Sequence, residues 1–174
     1  MATKAKGEGF ANIAYLKVTE TAPNTLTFAQ LQLATTLMTN KAALVIHRAD
    51  FFIQGGPSNF NGAGDKQMMA VTLTDRLTDI TDLSQPEILF MIERQRWDFG
   101  TAASGFLNNE PAIMDFSMLP GTGVLVPADR IYIAAQGSGL VNASTVSCRL
   151  FYTVKELETA DYWDLVEARR IMTT

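Results

Sequence analysis

Residues 146 to 154 read Val146-Ser147-Cys148-Arg149-Leu150-Phe151-Tyr152-Thr153-Val154, and this stretch decides the fold. Val146, Cys148, Leu150, Tyr152 and Val154 fall on one side, and Ser147, Arg149, Phe151 and Thr153 fall on the other. A period of two is the mark of a β-strand with one face on a core. On the N-terminal side, short apolar stretches recur between clusters of Gly, Pro, Asn and Asp, the pattern of an all-β sandwich or barrel. On the C-terminal side the pattern changes to a helix over 158–172, starting near Thr159. Asp161 stands in its first turn and Arg169 and Arg170 in its last, as the helix dipole favours. Ala160, Trp163, Val166 and the stem of Arg170 share one face, and Tyr162, Leu165 and Val166 form a neighbouring apolar stripe.

Further strands are predicted at 12–20, 43–53, 67–75, 87–97, 112–118, around Val124-Leu125-Val126, and at 130–136. Residues 26–38 fit either a strand, by Leu26 and Phe28, or a short helix, by Leu31, Ala34, Leu37 and Met38 with Thr27 as cap. The reading adopted is a strand end followed by a helical turn. Ile88 to Ile92 is apolar on both faces, which predicts a strand covered on both sides or placed at an interface. Gln54–Asp65 and Gly100–Pro111 read as long loops, and 74–83 as polar and irregular. The sum is about eight antiparallel strands, the number of a jelly-roll sandwich. Another Greek-key order would produce the same string. The 174 residues suit one domain, 1–174, with 1–10 a flexible N-terminal segment.

Composition narrows the function. Charged residues are 18% of the chain and hydrophobic ones 47%, which suits a surface partly covered by a partner. The net charge is −4 and the N-terminus offers only Lys4 and Lys6, so nucleic-acid contact is expected to be weak or absent. No run of about twenty apolar residues predicts a membrane span, and the first residues lack the apolar segment of a signal peptide. Asn142-Ala143-Ser144 is a glycosylation sequon read as chance. Cys148 is the only cysteine and is expected to be a buried hydrophobe.

Catalytic and metal schemes find little support. His47 is the sole histidine, and Asp50, three residues on, is expected on the opposite strand face, so no triad is predicted. One histidine and one cysteine cannot build a zinc or iron site of usual composition, and no cofactor is expected. The loop from Gly55 to Asp65 lacks the spacing of a phosphate cradle. Asp75, Asp79 and Asp82, with Asp65, match no EF-hand spacing and read as a solvated loop, with calcium between subunits a minor alternative. Glu93, Arg94, Arg96 and Asp98 surround Trp97. A carboxylate pair there would suit glycoside chemistry, but ion pairs around an aromatic anchor suit an interface better. The candidate subunit-interface residues are therefore Arg94, Arg96, Trp97 and Asp98, with Tyr162, Trp163, Arg169 and Arg170 of the helix.

Three stretches carry a resemblance. They are Leu44-Val45-Ile46-His47-Arg48-Ala49-Asp50-Phe51-Phe52, then Val124-Leu125-Val126-Pro127-Ala128-Asp129-Arg130-Ile131-Tyr132-Ile133 running into Gly137-Ser138-Gly139-Leu140, and Arg149 to Leu157 followed by Tyr162 to Arg170. Together they resemble single jelly-roll capsid proteins of small icosahedral viruses. The resemblance implies a non-enzymatic shell subunit that assembles with copies of itself, and with other capsid proteins, in a virion made in the host cytoplasm. The chain departs from many such proteins in having no long basic arm. The rival readings are a ligand- or carbohydrate-binding sandwich using Phe60, Trp97, Phe99 and Phe106, and an enzyme with carboxylate chemistry.

Overall fold

The structure is a computed structural model and describes residues 12–31, 42–54, 59–82, 84–98, 104–106, 112–119, 123–127 and 131–171. The expected flexible segment 1–10 and the expected helical turn after Leu31 lie outside these residues. Among the described residues the elements are β1 (Asn12–Thr19), β2 (Thr27–Gln30), β3 (Ala42–Gln54), β4 (Lys66–Thr72), β5 (Ile88–Asp98), β6 (Ser104–Phe106), β7 (Ala112–Asp115), β8 (Val124–Pro127), β9 (Tyr132–Ser138), β10 (Thr145–Glu156) and the helix α1 (Thr159–Ile171). That is ten strands where the sequence suggested eight. The expected 112–118 and 124–126 strands are two short pieces, β7 and β8, laid end to end along β3, and β6 lies inside the stretch read as the Gly100–Pro111 loop.

The strands form two antiparallel sheets. The first runs β1-β10-β3-β7, with β8 also on β3, and the second runs β2-β9-β4-β5-β6. The pairing is nested: β1 with β10, β2 with β9, β3 with β7 and β8, β4 with β5. One long hairpin folded over itself makes these pairs, and the wrap adds β10 to β3 and β9 to β4. Because pairing joins the ends of the chain before its middle, the order is set by long-range contacts.

The alternating residues of β10 do what their period requires. Val146, Cys148 and Leu150 are fully buried between the sheets, with Leu44, Ile46, Ala49 and Phe51 of β3 beside them and Met69, Val71, Ile133 and Ala135 opposite. Phe51 meets Phe90 of the other sheet edge to face, ring centroids 5.5 Å apart, and Phe90 meets Phe116 at 5.2 Å. Each such side chain contributes about 1.5–3 kcal/mol on burial.

The second sheet is covered on its outer side as well. Met68, Ala70, Ile80, Ile88 and Ala134 form a smaller cluster there, with Leu26, Phe28, Leu77 and Met91 against it. The irregular 74–82 segment lies on this face, with Leu77 and Ile80 packed there and pinned where Ile80 N–H donates to Gln136 Oε1 at 3.1 Å. Ile88–Ile92 is thus apolar on both faces because the chain itself covers the sheet, but β4 is the more completely enclosed strand, with Met68 to Thr72 all buried.

A β-bulge falls at His47. Phe151 pairs with Arg48 and Tyr152 with Ile46, leaving His47 as the extra residue. A bulge offsets the alternation by one. Contrary to the sequence expectation, His47 and Asp50 therefore lie on the same, outer face of the first sheet: His47 bonds Thr153 there, and Asp50 pairs across from the exposed Arg149.

Candidate functional site

A sandwich sheet normally shows water a polar face. The outer face of the first sheet departs from this. β1 places Leu16 and Val18 inward, so Ile13 and Tyr15 point outward, 63% and 60% exposed. Register then sets the rows across the sheet. Tyr15 stands beside Arg149, Asp50 and Ile113, the last 51% exposed, and Ile13 stands beside Phe151, Arg48 and Asp115. Lys17, Ser147 and Phe52 make the next row.

The charges on this face are ordered by aromatic rings. The Arg48 guanidinium lies 5.4 Å from the centroid of Phe151, and Arg149 lies 5.4 Å from that of Phe52. Arg48 also donates to both oxygens of Asp50, Nε to Oδ1 at 2.5 Å and one terminal nitrogen to Oδ2 at 3.2 Å. The hydrogen bond to Asp50 raises the Arg48 pKa above its ordinary value. Asp50 is thereby committed, and Arg149, directly across from it, makes no ion pair among the described residues. Tyr15, Phe52, Ile53, Gln54, Ser147, Arg149 and Arg94 line an open depression of about 530 Å³ on this side. Aromatic and arginine side chains around a depression are the composition of a protein-binding surface.

The residues singled out from the sequence are divided by the fold. Arg94 and Arg96 meet around the Phe60 segment: Arg94 lies 5.8 Å from the Phe60 ring centroid, and Arg96 donates to the Phe60 carbonyl at 3.2 Å. Arg94 is 9% exposed and reaches the depression, whereas Phe60 itself is 4% exposed and belongs to the packed interior, not to an exposed loop. Trp97 and Asp98 lie where β5 pairs with Gly105 and Ser104 of β6, far from α1 in the chain. Trp163 is 55% exposed on α1. The side chains of Trp97, Asp98, Tyr162, Arg169, Arg170 and Phe106, and all of Phe99, lie outside the described part. Tyr15, Phe52 and Arg149, the heart of the depression, were not singled out. Their signal was the second apolar parity of β1, where Ile13 and Tyr15 alternate with Leu16 and Val18.

The other candidates are used locally. His47 Nε2 bonds Thr153 Oγ1 at 2.9 Å. Asp79 accepts the N–H and the hydroxyl of Thr81, and Asp82 accepts the N–H of Ser84 at 2.9 Å. These bonds to the ionised form hold both carboxyls below their ordinary pKa. Asp65 Oδ2 accepts the N–H groups of Asn61 and Gly62, both at 2.6 Å. Such bonds close turns. No group of three or more His, Cys, Asp or Glu able to hold a metal ion occurs among the described residues.

Among the described residues the fold is that of a mainly β protein, two facing antiparallel sheets followed by the helix α1. No protein-family model and no curated protein matches the chain. It is similar to a solved structure titled desmodium yellow mottle tymovirus over 91% of this chain and 96% of that chain, at 6% identity and a TM-score of 0.34. No helix among the described residues is long and apolar enough to cross a membrane.

Proposed function

We propose that this chain is a structural protein of jelly-roll type that assembles with copies of itself into a shell, as the subunit of an icosahedral virus capsid. The observation that carries the reading is the solvent side of the β1-β10-β3-β7 sheet, where Ile13, Tyr15 and Ile113 are each more than half exposed beside Phe52, Phe151, Arg48 and Arg149. Burying such a face against a sister molecule removes apolar area from water at about 25 cal/mol per Å². The nested strand order supports the jelly-roll assignment: with β7 and β8 counted as one position and β6 as an extension of the second sheet's edge, eight strands remain in two sheets of four. The capture of Asp50 by Arg48 and of His47 by Thr153 supports a structural use of these groups over a catalytic one. The net charge of −4 suits a shell whose genome is held elsewhere.

The test is the size of the purified protein by light scattering and negative-stain microscopy. Particles or large rings are expected. Ile13→Ser with Tyr15→Ser should abolish them while leaving the melting temperature within a few degrees, since both positions are exposed. A monomer at every concentration and salt, with glycan binding in the Tyr15–Phe52 depression, would replace this reading with the carbohydrate-binding sandwich.

A further inference from the structure

The self-assembly reading leaves open which surface meets the outer sheet face, and charge answers it. The depression side carries Arg149 and, in the adjacent row, Lys17. Asp50, directly across from Arg149, is held by Arg48. The opposite charge is concentrated on the C-terminal segment. From Glu156 to Ala168 there are five carboxylates, Glu156, Glu158, Asp161, Asp164 and Glu167, and no Lys or Arg. All five are exposed. Asp161, Asp164 and Glu167 follow at intervals of three, so like charges neighbour one another on the helix surface, an arrangement that destabilises an isolated helix. Trp163, 55% exposed, stands beside Asp164 and one turn before Glu167.

Within one molecule the two patches belong to opposite ends of the first sheet. Arg149 lies near the start of β10, and α1 begins after its far end. The seven residues from Arg149 to Glu156 span about 23 Å at about 3.3 Å per residue. The strand that α1 lies nearest is β8, which pairs with the Ala43–Ile46 end of β3, whereas the depression is at the Phe52–Gln54 end. Complementary patches at opposite ends of one sheet fit a head-to-tail contact between copies, which closes into rings or shells when the rotation permits.

We propose that the acidic half of α1 from one copy docks on the outer face of the first sheet of the next, with Trp163 seated in the Tyr15–Phe52 depression and Asp164 and Glu167 facing Arg149 and Lys17. This inference rests on the self-assembly reading. It names the two halves of one contact, with an aromatic anchor at its centre and charge pairs around it, the arrangement of interface hot spots.

The experiment compares the full-length protein with Arg149→Glu, Asp164→Lys, Trp163→Ala and the double variant Arg149→Glu with Asp164→Lys, by sedimentation velocity over a range of concentrations. All altered positions are exposed, and circular dichroism with thermal melting checks that each variant folds. Each single change should raise the concentration needed for assembly by about tenfold or more. The double variant, which exchanges the signs across the contact, should recover most of that loss. If the wild type assembles and the single variants assemble equally well, the helix-to-sheet contact is wrong while self-assembly stands. If the singles are impaired and the double variant is no better than the worse of them, the two patches do not face each other. If the wild type remains a monomer, both readings fall together.

Discussion

Glu20 and Ser144 are joined twice: the Glu20 carboxylate accepts the Ser144 N–H at 2.6 Å, and the Glu20 N–H donates to the Ser144 carbonyl at 2.9 Å. The second carboxylate oxygen accepts the N–H of Gly137 at 2.6 Å, and Glu20 is 3% exposed. One buried carboxylate therefore ties the end of β1 to β9 of the facing sheet and to the segment that enters β10. Ser144 is engaged further, since its Oγ accepts from Gln67 Nε2 of β4 at 3.2 Å. Closing one end of a sandwich with this side chain satisfies two buried backbone N–H groups, those of Ser144 and Gly137.

Glu20→Ala should lower the unfolding free energy by about 3 kcal/mol, since two buried N–H groups lose their acceptor and each costs about 1–3 kcal/mol. Urea denaturation followed by tryptophan fluorescence reads the change. A loss below about 0.5 kcal/mol would mean that water replaces the carboxylate without cost, and the closure would carry no weight.

Gly139 has φ +74°, and a Cβ there would overlap Asp65 Oδ1. Gly139→Ala should therefore cost about 1–3 kcal/mol through strain and displacement of Asp65. Asp65→Ala alone also destabilises, by freeing the Asn61 and Gly62 N–H groups. The double variant should lose less than the sum, because the clash disappears with the carboxylate. Strict additivity in the same denaturation measurement would show that the two sites are independent.

Cys148 is fully buried, and burial pushes its thiol pKa well up from the ordinary value. Iodoacetamide at about pH 8 should leave it unmodified in the folded protein and alkylate it fully in urea. Modification of the native protein at the rate of a free thiol, read by mass spectrometry, would contradict the packing of β10 against the core.

Asp79, Asp82 and Asp115 are held below their ordinary value of 3.8, mainly by hydrogen bonds from Thr81, Ser84 and Ser117. A carboxyl with a lowered pKa in the folded state binds its proton less readily than in the unfolded chain. Its contribution is complete above 3.8 and is lost as the pH falls through the lower folded values. Melting temperatures measured from about pH 5 to about pH 2 should fall on the acid side, and Asp79→Asn with Asp115→Asn should flatten that fall. An unchanged acid limb in the double variant would remove these bonds from the account.

Much of the fold was legible along the chain because period and punctuation are local. The alternation of Val146 to Val154 became β10, the 43–53 run became β3, and the dipole-matched segment from Thr159 became α1. The described residues hold ten strands against an expected eight or so, and the unforeseen one, Ser104–Phe106, is three residues long and too short to carry a period. The His47 bulge reversed the predicted relation to Asp50, because one inserted residue shifts every later side chain of β3 relative to its neighbour. Of the interface candidates, Trp163 stands exposed and Arg94 reaches the depression, and Arg94 and Arg96 both also contact Phe60.

Apart from the bulge in β3, the sequence by itself determined which residues face inward along the long strands, since a side chain's side follows from its position and apolar residues leave water wherever the strand lands. Only the tertiary structure decided which strands are neighbours, and so which outward residues share a surface. Tyr15, Phe52 and Arg149 stand on three different strands, separated by up to 134 positions, and come together through the pairing of β1 and β3 on either side of β10. That pairing is a matter of register between distant segments, settled by the fit of one core, and no local pattern encodes it.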